Sequence, residues 1–321
     1  MLWWQILLIV VGVLLGVVFI ILPSIIFPYA GRQIVKMLNR CDNGMKNVKM
    51  MDVSFYDAGP LKAAAKAGLS FMDTLEVEEK YIESFDGFKL QAYYFKNPNQ
   101  KENRIFLGIH GFRSGPKHEY APYIKKYFEM GYSLLLPCQR AHYKSEGKYI
   151  TMGSKERYDV LSWCNYIVSE FGEDSKILVQ GISMGAASVC LASSLDLPKN
   201  VIGIISDCGY SSFKDQLSYT MKQFKAPAGI LLSVIGYYTK KIGLDLNSEG
   251  PVDAVKNSKV PILFMHGEVD MIVPVSLSKK LYQACGNERF LHIVPNANHA
   301  ESAVRDIDTY FKIIKEFFKE V

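Results

Sequence analysis

The chain has no C-x-x-C spacing and no run of basic residues. Its six cysteines, Cys41, Cys138, Cys164, Cys190, Cys208 and Cys285, are scattered singly, which excludes a thiolate zinc site and a small disulfide scaffold. They read as buried small hydrophobes, and such a free set leans toward a reducing compartment. The net charge of +5 arises from lysines and arginines interleaved with acidic residues. That pattern describes a solvated surface and excludes nucleic acid as a partner.

Charge is also missing from Leu2 to Phe27, a run long enough to cross a bilayer as one helix. Trp3 and Trp4 at one end and Tyr29 at the other suit the two interfaces. A cleaved signal peptide is the alternative, but the run lacks a basic start and small residues at cleavage spacing. Residues 1–30 are therefore expected to be a retained transmembrane anchor. Arg32, Lys36, Arg40, Lys46 and Lys49 follow it, so the positive-inside rule puts the rest of a single-pass protein in the cytoplasm.

Residues 31–78 read as a helical connecting region, with Gly59-Pro60 starting a helix toward Glu76. From 79 to 321 strands alternate with helices. KYIESF and KLQAYYF flank Asp86-Gly87 as a hairpin. RIFLGIH, YSLLLP, KILVQG, VIGIISD, PILFMHG and RFLHIV follow as strands, with helices expected at about 119–130 and 154–171. This alternation implies an α/β fold with a mainly parallel sheet, helices on both faces, and chemistry at the carboxyl ends of the strands. Residues 211–251 break the rhythm and read as a small helical cap, whose apolar residues either line an acyl pocket or bury the cap on the body.

The organising stretch is KILVQGISMGAASVCLASS, Lys176 to Ser194. A short apolar strand turns through Gly181-Ile182-Ser183-Met184-Gly185 into a helix of small residues. The serine of such a turn is strained, and its hydroxyl stands clear of the sheet. Together with His110-Gly111-Phe112, His266-Gly267-Glu268-Val269-Asp270-Met271-Ile272-Val273-Pro274 and Asn298-His299-Ala300, it makes residues 80–321 resemble the α/β-hydrolase superfamily. Within it the chain is most similar to bacterial membrane-anchored esterases and prolyl-oligopeptidase-like hydrolases.

A serine hydroxyl needs a base in reach, and the base needs an acid to fix its tautomer. The chain order that this fold demands gives Ser183 as nucleophile, Asp270 as acid and His299 as base. His110 and His266 precede glycines at strand ends, His292 lies within a strand, and His118 and His142 come before the serine. Asp207 is the runner-up for the acid. The resemblance implies an oxyanion hole formed by the Met184 and Phe112 backbone amides. Where relatives often carry an acidic residue after the strand ending at Pro137, this chain has Cys138 or Gln139, then Arg140 and Ala141.

The expectation is a serine hydrolase, carboxylesterase- or lipase-like, that cleaves a small-molecule or lipid ester through an acyl-enzyme and implies no metal or organic cofactor. The alternatives are a prolyl-oligopeptidase-like serine peptidase and a noncatalytic membrane receptor or scaffold.

Overall fold

Strands covered on both faces must be apolar throughout, whereas edge strands can alternate. A computed structural model of the chain, which describes residues 5, 10, 11, 22–42, 59–226 and 228–319, follows that rule. Its eight strands are β1 (Glu78–Glu83), β2 (Lys89–Phe95), β3 (Arg104–Ile109), β4 (Ser133–Pro137), β5 (Lys176–Ile182), β6 (Val201–Asp207), β7 (Ile262–Gly267) and β8 (Arg289–Val294). They form one sheet in the order β1-β2-β4-β3-β5-β6-β7-β8. β4 and β7 are buried at every residue, while β1 and β8 at the edges are largely open. β2 runs antiparallel to both neighbours, and from β4 to β8 every pairing is parallel. Gly87 takes φ 82° in the turn between β1 and β2, a conformation that side chains disfavour.

The helices among the described residues are α1 (Leu22–Met37), α2 (Gly59–Met72), α3 (Pro116–Tyr120), α4 (Ile124–Glu129), α5 (Glu156–Phe171), α6 (Met184–Ala192), α7 (Phe213–Gln223), α8 (Ala228–Lys240), α9 (Pro251–Ala254), α10 (Val275–Ala284), α11 (Ser302–Arg305) and α12 (Ile307–Phe317). The two-residue period of the strands divides the core between the faces. Phe106, Leu134, Leu136, Leu178 and Ile205 pack with Tyr127 of α4 and Tyr310, Phe311 and Ile314 of α12. Ile105, Leu107, Leu135, Ile177 and Val179 pack on the other side with Trp163 of α5 and Val189 of α6. All six cysteines are buried. The expected helix at 119–130 is instead two short ones, α3 and α4, because Pro122 has no N–H to give to the preceding turn. Between β6 and β7 the chain leaves the sheet for α7, α8 and α9.

The membrane placement is corrected. Among the described residues no helix is long and apolar enough to cross a membrane, so a single-pass localisation with a cytoplasmic domain does not stand. Residues 1–4, 6–9 and 12–21 of the expected anchor lie outside the described residues. Its last residues belong to α1, which continues through Arg32 and Lys36. That helix packs on the protein itself: a Cβ added to buried Gly31 would lie 2.2 Å from the Tyr238 ring of α8. The apolar end of the run and the charged segment after it are therefore one helix lying against α8.

The loop after β4 is held by a buried cation. Arg140 donates from Nε and Nη2 to Asp159 of α5 at 2.7 and 2.6 Å, and from Nη1 and Nη2 to Asp86 of the hairpin turn at 2.9 and 3.0 Å. Burial pushes the Asp159 carboxyl up to about 6 although Arg140 opposes it. At Asp86 burial acts the same way, but Arg140, Ser84 and Lys155 outweigh it and bring the carboxyl down to about 2. Both carboxylates are thus ionised at neutral pH, and the two-pronged geometry makes Arg140 their common partner. Removing one member of a buried pair strands the other charge, at a cost of about 3–5 kcal/mol. Arg140→Leu is therefore expected to lower stability in urea unfolding at pH 7.5 by about 3 kcal/mol. A change below about 1 kcal/mol would contradict this account of the loop.

Candidate active site

The end of β5 and the start of α6 pass so close that only glycine fits on either side of the turn. A Cβ on Gly181 would lie 2.2 Å from the Gly185 carbonyl oxygen, and one on Gly185 would lie 2.0 Å from that of Ile109 at the end of β3. Between them Ser183 takes φ 57° and ψ −115°, a strained conformation for a residue with a side chain. Two backbone bonds hold it, from Ser183 N–H to the Asp207 carbonyl at 2.9 Å and from Ala187 N–H to the Ser183 carbonyl at 3.1 Å.

Two loops meet the serine from the far end of the sheet. Ser183 Oγ lies 3.0 Å from His299 Nε2, and His299 Nδ1 lies 2.7 Å from Asp270 Oδ2. A carboxylate only accepts, so Nδ1 carries the proton and Nε2 presents its lone pair to the serine hydroxyl. Asp270 Oδ1 accepts from the Ile272 and Val273 amides at 2.9 and 2.8 Å. Burial raises its affinity for a proton, but the charges and hydrogen bonds of His299 and His266 outweigh that and hold the carboxyl well below the usual range. The three residues expected from chain order are thus brought together across three separate strand ends.

The other expected residues fall in distinct places. Asp207, the alternative acid, does not reach the base: its carboxylate accepts from Ser302 Oγ at 2.8 Å and Tyr310 Oη at 2.9 Å. Phe112 is half-buried and packs on the cluster that contains Met184. Met184 is the first residue of α6, so its amide has no acceptor within the helix. Among the described residues neither the Phe112 nor the Met184 amide donates to another protein group. His110 is wholly buried, accepts from the Gln139 amide at Nε2 (3.0 Å) and gives its Nδ1 proton to the Gly111 carbonyl. Burial and the neighbouring His142 keep it well below the usual imidazole range, so it is neutral. The Gln139–His110 contact fixes the loop that departs from the family pattern.

A family model described as the prolyl oligopeptidase family matches residues 142–321, more than half of the chain. The chain belongs to the prolyl oligopeptidase family. The matched range contains Ser183, Asp270 and His299 and begins after the loop that carries Phe112. Among curated proteins, the uncharacterized protein YqkD of Bacillus subtilis is 25% identical over 266 residues, 81% of this chain and 86% of its own. Among solved structures, the Pyrococcus furiosus esterase Pf2001 matches with a TM-score of 0.61 at 24% identity, over 78% of this chain and 94% of its own. The acylaminoacyl peptidase of Pyrococcus horikoshii matches with a TM-score of 0.56 at 19% identity, over 78% of this chain and 43% of its own. The prolyl oligopeptidase family member described here therefore has the α/β-hydrolase fold and is a hydrolase of that type.

Sequence reasoning missed three residues of the site. His266, read only as a turn former, has Nε2 2.9 Å from the Val273 carbonyl and 3.3 Å from Asp270 Oδ2. Both are acceptors, so Nε2 carries a proton and the ring braces Asp270. Asn298 Oδ1 accepts from the Met271 and His299 amides at 3.1 and 2.8 Å, joining the acid loop to the base loop. Glu119 accepts from the Gly111 amide with both oxygens, at 3.1 and 3.0 Å. The positions of His266 four residues before Asp270 and of Asn298 directly before His299 were usable signals; nothing local marks Glu119.

Among the described residues the one group placed to hold a cation is Cys208, Asp270 and His299, whose ligand atoms lie within 4.8 Å of one another. Asp270 and His299 are already bonded to each other, and burial pushes the Cys208 thiol up to about 11. A protonated thiol is a poor ligand, so the set does not suit a resident metal.

The elbow makes a stability prediction. Gly185→Ala forces a methyl into the Ile109 and His110 carbonyls, and overpacking of this kind costs about 1–3 kcal/mol. Thermal unfolding should show a fall in Tm of several degrees; an unchanged Tm would mean that the turn is not held by this close approach.

Proposed function

We propose that the protein is a serine hydrolase that cleaves carboxylic esters through an acyl-enzyme on Ser183. The observation that carries this reading is the unbroken hydrogen-bonded line from Ser183 Oγ through the His299 ring to Asp270, with the serine on a strained turn. Ser183 Oγ attacks the ester carbonyl while His299 Nε2 takes its proton. Asp270 keeps the ring in the required tautomer and stabilises the imidazolium. The Met184 and Phe112 amides hold the oxyanion. His299 then gives its proton to the leaving alkoxide, and a water deprotonated by the same nitrogen releases the acid.

The choice of an ester is supported by the extent of the likeness, which spans 94% of the esterase's chain and 43% of the peptidase's. The family's name supports the second reading, a peptide substrate. We assign residues 211–251 as a cap, with α7 beside the site and α8 packed on α7 and α1. Phe213 of α7 packs with Phe112, Met184, Tyr210 and Ile272 around the elbow, a crowding that suits a short acyl group. Residues 31–78 and 79–321 are assigned as connecting segment and hydrolase domain.

Hydrolysis of 4-nitrophenyl acetate, butyrate and decanoate beside a matched peptide 4-nitroanilide tests both points. The short esters are expected to have kcat/KM at least about 100-fold above the anilide, and Ser183→Ala to remove at least about 10³-fold of it. Comparable turnover of the anilide would favour the peptidase, ester hydrolysis undiminished in Ser183→Ala would sink the serine mechanism, and a folded wild type that turns over neither substrate would favour a noncatalytic use of the fold.

A further inference from the structure

Among the buried ionisable groups beside the site that the proposed chemistry does not use is Glu119. Glu119 lies in α3 behind the loop that follows β3, and its carboxylate turns back onto that loop. Both oxygens accept from the Gly111 amide, at 3.1 and 3.0 Å, and the Ser114 side chain lies beside them. Among the described residues it forms no ion pair with lysine or arginine. An unpaired buried carboxylate is unfavourable, so its presence here calls for a reason.

The loop supplies one. Residues 111–114 make a tight turn closed by a 3.3 Å bond from the Ser114 amide to the Gly111 carbonyl. Within it Arg113 takes φ 54°, a strained value for a residue with a side chain. Glu119 holds the Gly111 end of this turn, beside the Ser114 side chain, and Phe112 follows directly after Gly111. Gly111 is also pressed between the carboxylate and the serine, since a Cβ there would meet Glu119 Oε1 at 3.2 Å and Ser183 Cβ at 3.3 Å. Leu61 and Ala65 of α2, Ile182 and Ala300 close the space around the carboxyl together with His118 and Tyr123.

We propose that Glu119 is a positioning residue of the hydrolytic site, whose ionised carboxylate keeps the strained 111–114 turn aimed so that the Phe112 amide points at the oxyanion. This rests on the hydrolase reading above. The carboxyl does not touch substrate; it acts through the loop. Burial raises it to about 7, Ser114, Gly111 and the charge of His299 draw it down, and Asp207 pushes it up. The neighbouring tyrosines Tyr120, Tyr123 and Tyr143 are raised by burial and stay neutral near pH 7, and His118 is a further titratable group lining the same space. The ionised acceptor is therefore present above about pH 7 and is lost as pH falls through that value. His299 must also be unprotonated to accept the serine proton, so two protonations, coupled through the charge of His299, remove activity on the acid side.

The test is the pH profile of kcat/KM for 4-nitrophenyl acetate in wild type and Glu119→Gln, with circular dichroism to verify folding. In wild type the acid limb should reach a limiting slope of two. Glu119→Gln should reduce that slope to one and lower kcat at pH 8.5 by about 10-fold or more, part of the 10²–10³ that an oxyanion donor supplies, with KM within about threefold. Glu119→Asp, which keeps the charge, should recover part of kcat. A folded Glu119→Gln with wild-type slope and kcat overturns the inference, as does a wild-type acid limb of slope one, which decides the matter even if the variant does not fold. Wild type that hydrolyses no ester at any pH overturns the hydrolase reading and this inference with it.

Discussion

The site depends on how closely three pieces of backbone approach at the end of the sheet. The turn from β5 into α6 touches the last carbonyls of β3, and Gly185 is the residue that lets it. That contact fixes two things together. It holds Ser183 at φ 57°, and it sets the loop after β3 beside the serine, where Gly111 meets Ser183 Cβ. Ser183 and the loop after β3 are thus one packing unit, and the strain at Ser183 is balanced by the strands that clamp it.

Around this unit the buried polar groups act as struts. Asp207 takes the Ser183 amide on its carbonyl while its carboxylate binds Ser302 and Tyr310, tying the elbow to α11 and α12. His266 and two loop amides hold Asp270, and Asn298 links the acid and base loops. Each link orients a group that would otherwise move on its loop, which is how second partners sharpen a site. Arg140 does the same one layer out, joining the hairpin turn, α5 and the loop after β4.

Much of this was legible in the sequence, for physical reasons. The strands stood out because both faces are covered, so they read as apolar runs such as SLLLP and PILFMHG. Ser183, Asp270 and His299 could be named because the turn chemistry around each is local: glycines at the elbow, H-G before the acid, an N-H pair at the last loop. Glu119 escaped because its contact with Gly111 arises from tertiary neighbours that no local pattern encodes. The membrane placement failed differently. An uncharged run was read as ending near residue 30, whereas α1 carries on through Arg32 and Lys36 and lies against Tyr238, a contact invisible to hydropathy.

The central claim is that Ser183 is an activated nucleophile because His299 and Asp270 stand behind it. Labelling the folded protein with a fluorophosphonate and locating the adduct by mass spectrometry tests it most directly. The account predicts one adduct, on Ser183, that forms at least about 100-fold more slowly in His299→Ala, in line with the loss of a general base. No adduct on folded wild type, or an adduct that forms as fast without His299, would contradict it.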